Sequence, residues 1–192
     1  MKMIRVALIL PHLGWGGVQT LLLVQTRDAA AFGVAYSVFS LAPPAKAPYA
    51  DELARLGVEV VHEPGRRVLD VQRAQRLARR LNGGRFDVAH GHLWAGNLVG
   101  AWASALAGLP FLGGLHLPGP GSGARAVVRG WAEAFALCYG ALAATACAEA
   151  VANANCRRLG RLPIIALTNP APDRFPPGPA ARGGRSRRAW GE

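Results

Sequence analysis

The sequence predicts an α/β domain with a mostly parallel, doubly wound sheet and helices on both faces. Three observations predict it. Short β-rich apolar runs alternate with helical patterns along most of the 192 residues, the pattern of βαβ units. The first run, Ile4-Arg5-Val6-Ala7-Leu8-Ile9-Leu10, is apolar at nearly every position, as expected of a strand covered on both faces of a parallel sheet. The chain is 51% hydrophobic but only 17% charged and 7% aromatic, which is enough apolar material for a core. Its alanine, glycine and leucine suit helices packed closely on a sheet.

The elements follow in order. After the first strand comes the loop Pro11-His12-Leu13-Gly14-Trp15-Gly16-Gly17, then a helical stretch from Val18 to Ala31. A second strand is expected over Val34 to Leu41. Pro43, Pro44 and Pro48 stiffen the next loop, and a short helix from Tyr49 to Leu56 ends at Gly57 before a third strand, Val58 to Val61. Val68, Val71, Leu77 and Leu81 repeat at helical spacing, with Arg73, Arg76, Arg79 and Arg80 between them, until Asn82-Gly83-Gly84 stops the helix. Then come a strand over Phe86 to His90, a helix over Leu93 to Ala107, a strand over Phe111 to Leu115 and a helix over Ala124 to Cys138. A strand or extended run over Ala141 to Cys147, a helix over Glu149 to Leu159 and a strand over Pro163 to Leu167 complete the alternation. Residues 1–170 are expected to form the domain. Residues 171–192 are rich in Pro, Gly and Arg and read as a linker or tail.

The net charge of +11 is almost all arginine, with lysine only at Lys2 and Lys46. Guanidinium pairs well with phosphate or carboxylate, so the charge fits nucleic acid, anionic lipid or a phosphorylated ligand, and equally an arginine-rich solvated surface. The arginines of the 68–81 helix have no aromatics interleaved, which disfavours nucleic acid; a solvated helix face is expected there. Cys138, Cys147 and Cys156 fit neither a zinc pattern nor a disulfide framework, and buried, reduced thiols in a cytoplasmic protein are expected. Met1 to Leu10, interrupted by Pro11, is too short for a signal peptide. No Asp, Glu, Lys or Arg lies between Asp87 and Arg125. Gly108, Pro110, Gly113 and Gly114 nevertheless divide that stretch well short of the roughly 20 apolar residues of a membrane span, so it reads as interior packing.

Ligands of open α/β sheets bind beyond the carboxyl ends of the strands, and three of those loops hold unusual residues. Gly14-Trp15-Gly16-Gly17 permits a tight turn or a close approach of backbone and helix N-terminus to an anion, but matches neither the dinucleotide nor the P-loop pattern. His90 and His92, two apart in a strand, face the same way. They lack an evident third metal ligand and read as a core histidine and a cleft-lining one. His116 ends a strand and opens the loop Leu117-Pro118-Gly119-Pro120-Gly121, where it fits either a structural or a catalytic role.

Taken together, these segments resemble the N-terminal half of family-four glycosyltransferases of the GT-B type. Ile4 to Gln19 is similar to that family's first strand and glycine loop. Asp87-Val88-Ala89-His90-Gly91-His92 resembles its D-V-V-H-x-H strand, and Pro110 to His116 its P-x-x-x-T-x-H segment. Thr168-Asn169-Pro170-Ala171-Pro172-Asp173-Arg174-Phe175 is similar to its N-G-V-D-x-x-x-F run. The chain departs from the family pattern at Gln19, where Glu is common, at Ala148-Glu149 in place of Ser-Glu, and at Gly114 in place of Thr.

The resemblance implies one Rossmann-like half of a two-domain fold, holding the acceptor for a retaining, metal-independent sugar transfer from a nucleotide-sugar, with no other cofactor. It implies catalytic contact of His116 with the transferring sugar, approach of Gly16 and Gly17 to the donor diphosphate, and acceptor contacts from His12, Trp15, Gln19, His92 and Trp94. The Arg/Lys pair and Glu-x7-Glu element of the family's donor-binding domain do not occur before Glu192. The chain alone is therefore expected to transfer little, and a C-terminal donor-binding domain or subunit is an expected partner. The acceptor would be a glycan or a lipid-linked glycan, the location cytoplasmic, with peripheral contact to an anionic inner membrane compatible with the charge. Two other readings fit the same sequence: a non-catalytic acceptor-binding module, and a basic α/β protein for nucleic acid or anionic membrane.

Overall fold

The computed structural model describes residues 2–44 and 48–168. It forms a seven-stranded sheet in the order β3-β2-β1-β4-β5-β6-β7, and every adjacent pair is parallel. The strands are β1 (Ile4–Leu10), β2 (Val34–Ser40), β3 (Glu59–His62), β4 (Val88–His92), β5 (Phe111–Leu115), β6 (Ala143–Ala146) and β7 (Ile164–Ala166). The helices are α1 (Gly17–Arg27), α2 (Pro48–Arg55), α3 (Val71–Gly83), α4 (Leu93–Ala107), α5 (Ala124–Gly140) and α6 (Glu149–Leu159).

The alternation of side chains along β1 explains the two layers. Ala7 and Ile9 face a core shared with Leu77, Leu81, Val99, Leu137 and Leu159 of α3 to α6. Val6, Leu8 and Leu10 face a second core with Leu22, Leu23 and Leu53 of α1 and α2. β1 is buried on both sides because each side has its own helices.

Several boundaries differ from the sequence reading. The first helix ends at Arg27, and Ala29–Phe32 forms a 3-10 turn closed by Gly33 at φ 69°; Phe32 points into solvent, so nothing holds a longer helix. The arginine helix starts at Val71, not Val68, because the Asp70 carboxylate accepts from the Arg73 N–H at 3.1 Å and caps it there. Those amides, that of Arg73 first and that of Arg66 second, also hold the Asp70 carboxyl below its ordinary pKa. β4 begins at Val88, not Phe86, and runs to His92. Asp87 accepts from the Arg5 N–H at 2.8 Å, which sets the register that pairs Ala89 with Ala7.

The face of α3 is not simply solvated. Arg73 is buried, and Arg76 and Arg80 both pair with Glu63, itself buried. The thiols also depart from expectation. All three are free, but Cys138 and Cys156 are exposed, and only Cys147 is partly covered. The end of the predicted domain at residue 170, the 171–192 tail and the family-like run from Asn169 onward lie outside the described residues.

Helix α4 touches the strands directly. A Cβ on Gly96 would lie 2.4 Å from the Ile9 carbonyl oxygen, and one on Gly100 would lie 2.7 Å from the Phe111 ring. A Cβ on Gly91 would come 2.8 Å from the Gly96 oxygen and 2.9 Å from Asn97 Cα. Backbone therefore packs on backbone where β1, β4 and α4 meet.

Candidate functional site

The strand order turns between β1 and β4: β2 and β3 continue to one side, β5 to β7 to the other. At such a switch point the loops diverge and open a crevice. The loop after β1, the β4–α4 junction and the end of β5 converge on it.

The first of these loops is held by its own polar groups. Leu13 is buried and anchors it. The Gly14 N–H donates to His12 Nδ1 at 3.2 Å, and the Gln19 amide donates to the His12 carbonyl at 3.1 Å. Gln19 is buried and folds back against Gly16, where a Cβ would lie 2.4 Å from its Oε1. Gly17 is open, with nothing within 4 Å of an added Cβ. No side chain caps the N-terminus of α1, and its first turn holds no acid, so its free amides favour an anion. Trp15 is exposed and stands edge-on to Tyr49, with ring centroids 5.4 Å apart. The Tyr49 hydroxyl is 2.9 Å from Thr20 Oγ1. Trp15 thus offers a supported aromatic surface.

The histidines of β4, His90 and His92, and His116 just past β5 form one stack. The His90 and His92 centroids are 4.2 Å apart, and those of His92 and His116 are 5.2 Å apart. His90 Nε2 lies 3.0 Å from Thr145 Oγ1, and His92 Nδ1 lies 2.9 Å from His116 Nε2. A 2.9 Å contact between two ring nitrogens requires one proton between them. Burial lowers the pKa of each. His90 falls to about 4, and the charge of His116 adds to the effect. His92 falls well below its ordinary value, with His90 and then His116 as lesser causes. His116 is lowered by burial. All three are neutral at pH 7.

His92 is only 2% exposed. It does not line the cleft itself but supports His116, and its Nε2 has no hydrogen-bond partner among the described residues. Its neighbour Leu93 has φ 61°, a left-handed conformation that costs a leucine roughly 1–2 kcal/mol. This turns the chain sharply from β4 into α4. Gly114 stands where the family resemblance puts threonine. A Cβ there would lie 2.6 Å from the Gly91 carbonyl oxygen and 3.0 Å from His92 Nδ1, so the His92–His116 contact depends on a glycine.

His116 borders a cavity of about 230 Å³, with Trp94, Leu117, Arg129, Glu133 and Arg158 also on its walls. The Arg129 guanidinium lies over the Trp94 ring, 4.9 Å from its centroid. A polar network that the sequence reading missed supports this side. The Asn97 amide donates to the Gly114 carbonyl at 3.0 Å and to Glu133 at 2.7 Å, and its oxygen accepts from the Gly114 N–H at 3.0 Å. Arg158 donates to Glu133 at 3.0 Å and to Asn155, which donates to the Leu117 carbonyl at 2.9 Å. One network thus fixes the backbone on both sides of His116. Its signal in the sequence was a polar residue inside an apolar run, as with Asn97 in Leu93 to Ala107.

Replacing Glu133 with alanine is expected to lower stability by about 2 kcal/mol, because it strands the largely buried Arg158 cation and an Asn97 N–H. Urea unfolding measures the loss, and an unchanged midpoint would mean that the network relaxes onto water.

The structure brings His12, Trp15, Gly16, Gly17 and Gln19 together in the first loop and the start of α1, and His92, Trp94 and His116 around the β5 end. Among the described residues, no three His, Cys, Asp or Glu side chains gather to hold a metal ion, and no helix is long and apolar enough to cross a membrane.

Residues 15–169 match the model of Glycosyltransferase Family 4. No curated protein matches the sequence. Solved structures match over nearly the whole chain. The Anabaena protein HepE in complex with UDP is 18% identical, with a TM-score of 0.69, over 88% of this chain and 44% of that one. The lipopolysaccharide outer core galactosyltransferase WaaB in its apo form is 13% identical, with a TM-score of 0.61, over 90% of this chain and 47% of that one. A UDP-N-acetylglucosamine 2-epimerase is 10% identical, with a TM-score of 0.63, over 88% and 49%. The chain spans less than half the length of these proteins. At such identities the likeness establishes the fold: one Rossmann-like half of a GT-B architecture.

Proposed function

The chain belongs to glycosyltransferase family 4, and from that membership we propose that it is the acceptor-side half of a retaining transferase that moves a sugar from a nucleotide-sugar to a glycan or lipid-linked glycan. An epimerase shares the fold, so transfer rests on the family and on the site. The observation that carries it is His116: a neutral imidazole held by His92 at the edge of a cavity beyond β5. As the leaving phosphate departs, positive charge develops on the transferring sugar. A neutral ring can hydrogen-bond that sugar without the repulsion an imidazolium would bring.

The other roles follow from position. The uncapped N-terminus of α1, with Gly16 and Gly17, accepts the donor diphosphate as its negative charge grows. Trp15 offers its exposed ring to the acceptor and Trp94 lines the cavity beside His116, whereas His12 and the buried Gln19, expected as acceptor contacts, hold the loop that carries Trp15. HepE has been solved with UDP-glucose, which makes uridine diphosphate sugars the first donors to try. Stabilisation of the leaving group by cations is assigned to a donor-binding half, so the site works as an interface between two halves.

The test is isothermal titration and product analysis with UDP- and GDP-sugars, with the chain alone and mixed with a family-four donor-binding domain. Binding with turnover is expected in the mixture. His116→Ala should lower kcat there by about 100-fold, in the range for a lost transition-state contact, with folding unchanged. Tight nucleotide-sugar binding by the chain alone would overturn the assignment of sides. Full turnover by His116→Ala would overturn the role of the histidine.

A further inference from the structure

We propose that the outer face of α5 is a docking surface for an anionic lipid bilayer. The inference stands on α5 itself and not on the transfer reading. Val128, Trp131, Phe135, Tyr139 and Leu142 follow one another at intervals of three and four residues, which puts the helical members of the run on one stripe. The stripe faces away from the core, since Gly130, Glu133 and Leu137 are the buried residues of α5. Trp131 is 76% exposed, Phe135 66% and Tyr139 82%. The Phe135 and Tyr139 rings lie 4.7 Å apart. A helix on the surface of a soluble domain carries polar residues on its outer face. A contiguous aromatic stripe there marks an interaction surface.

Charge identifies the occupant. Arg157 and Arg161 share a groove of about 670 Å³ with Trp131, Phe135, Tyr139 and Leu142. Arg125 and Arg129 flank Val128 at the other end. The one acid of α5, Glu133, turns inward to Arg158. Aromatic rings framed by arginines match the headgroup region of an anionic bilayer, where the rings meet the acyl boundary and guanidinium pairs with phosphate. A second copy of the chain would oppose arginine to arginine, as would the arginine-rich segment 171–192. Since none of the described helices can span a bilayer, the contact is peripheral. Arg129, Gly130 and Glu133 of α5 line the cavity beside His116, so a bilayer along this helix would lie near that cavity.

Co-sedimentation of the 192-residue chain with vesicles tests the proposal. The chain should pellet with phosphatidylglycerol vesicles and not with phosphatidylcholine ones, and salt should weaken the binding. Replacing Trp131, Phe135 and Tyr139 together by serine should lower the bound fraction at least about tenfold while circular dichroism stays unchanged. Arg157→Glu with Arg161→Glu should lower it without touching the rings. Failure of the native chain to bind phosphatidylglycerol would overturn the proposal. So would equal binding by the triple variant, which would place the contact on other arginines. A concentration-dependent dimer abolished by the triple variant, with no vesicle binding, would assign the face to a second copy instead.

Discussion

Gly96→Ala is expected to destabilise the domain by about 3 kcal/mol or more, enough to unfold a marginally stable domain at ordinary temperature. Alanine is the better helix former by about 1 kcal/mol, so propensity alone predicts the opposite sign. Packing decides because the added Cβ would lie 2.4 Å from the Ile9 carbonyl oxygen and 3.3 Å from its carbonyl carbon. Both atoms are backbone of the central strand, and no rotamer change can relieve the contact. Either α4 lifts from the sheet, opening voids around Phe111 and Val99, or β1 shifts against β2 and β4. Gly83→Ala serves as the control. It lies at the end of α3 with nothing within 4 Å of an added Cβ, and should leave stability unchanged or raise it by up to about 1 kcal/mol. Urea unfolding of the two variants beside the native chain makes the comparison. Equal stabilities would mean that α4 does not rest on β1 as closely as described.

Acid should weaken the fold through the buried histidines, well before most carboxylates titrate. In the unfolded chain each imidazole titrates near 6.5. In the fold, burial first and the charge of His116 second hold His90 at about 4, and burial holds His92 well below its ordinary value. As the pH falls below 6.5 the unfolded state binds protons that the folded state refuses, so the equilibrium moves toward unfolding. The stabilisation is complete above pH 6.5 and is lost as the pH falls toward the folded pKa. Each histidine costs about 1.4 kcal/mol per pH unit in that window, and His90 alone about 3 kcal/mol in all. Unfolding free energies at about pH 7, 6 and 5 in constant salt should show a combined slope above 2 kcal/mol per unit between the last two. His90→Gln, which keeps an amide near Thr145, should remove about one proton from the slope. A slope of half that size in the native chain would mean that one of the two histidines binds its proton as readily in the fold as in the unfolded chain, and a flat profile that both do.

Much of the architecture was legible because it is locally encoded. The apolar run Ile4 to Leu10 marked the central strand, and Leu93 to Ala107 and Glu149 to Leu159 marked α4 and α6 at their observed ends. The limits of α3 and β4 were misjudged where a single carboxylate decides. Asp70 stops Val68 and Leu69 from joining α3, and Asp87 sets where β4 meets β1. At the site, the positions of the Gly16–Gly17 loop and of His92 and His116 at strand ends followed from the α/β alternation.

What the sequence by itself determined is therefore the order of elements, the parallel sheet, the family and the strand ends where chemistry gathers. Periodicity and turn residues express interactions between near neighbours in the chain, and these survive in a linear reading. Only the tertiary structure decided that His92 is buried beneath His116, that Gly114 makes room for their contact, and that Asn97, Glu133, Asn155 and Arg158 brace the loop around it. Asn97 and Glu133 are separated by 36 residues, and Glu133 and Arg158 by 25. Each alone looks like an ordinary polar residue on a helix. Whether such a group faces water or a partner depends on how helices pack across the sheet, and burial then sets its charge state and its cost of removal.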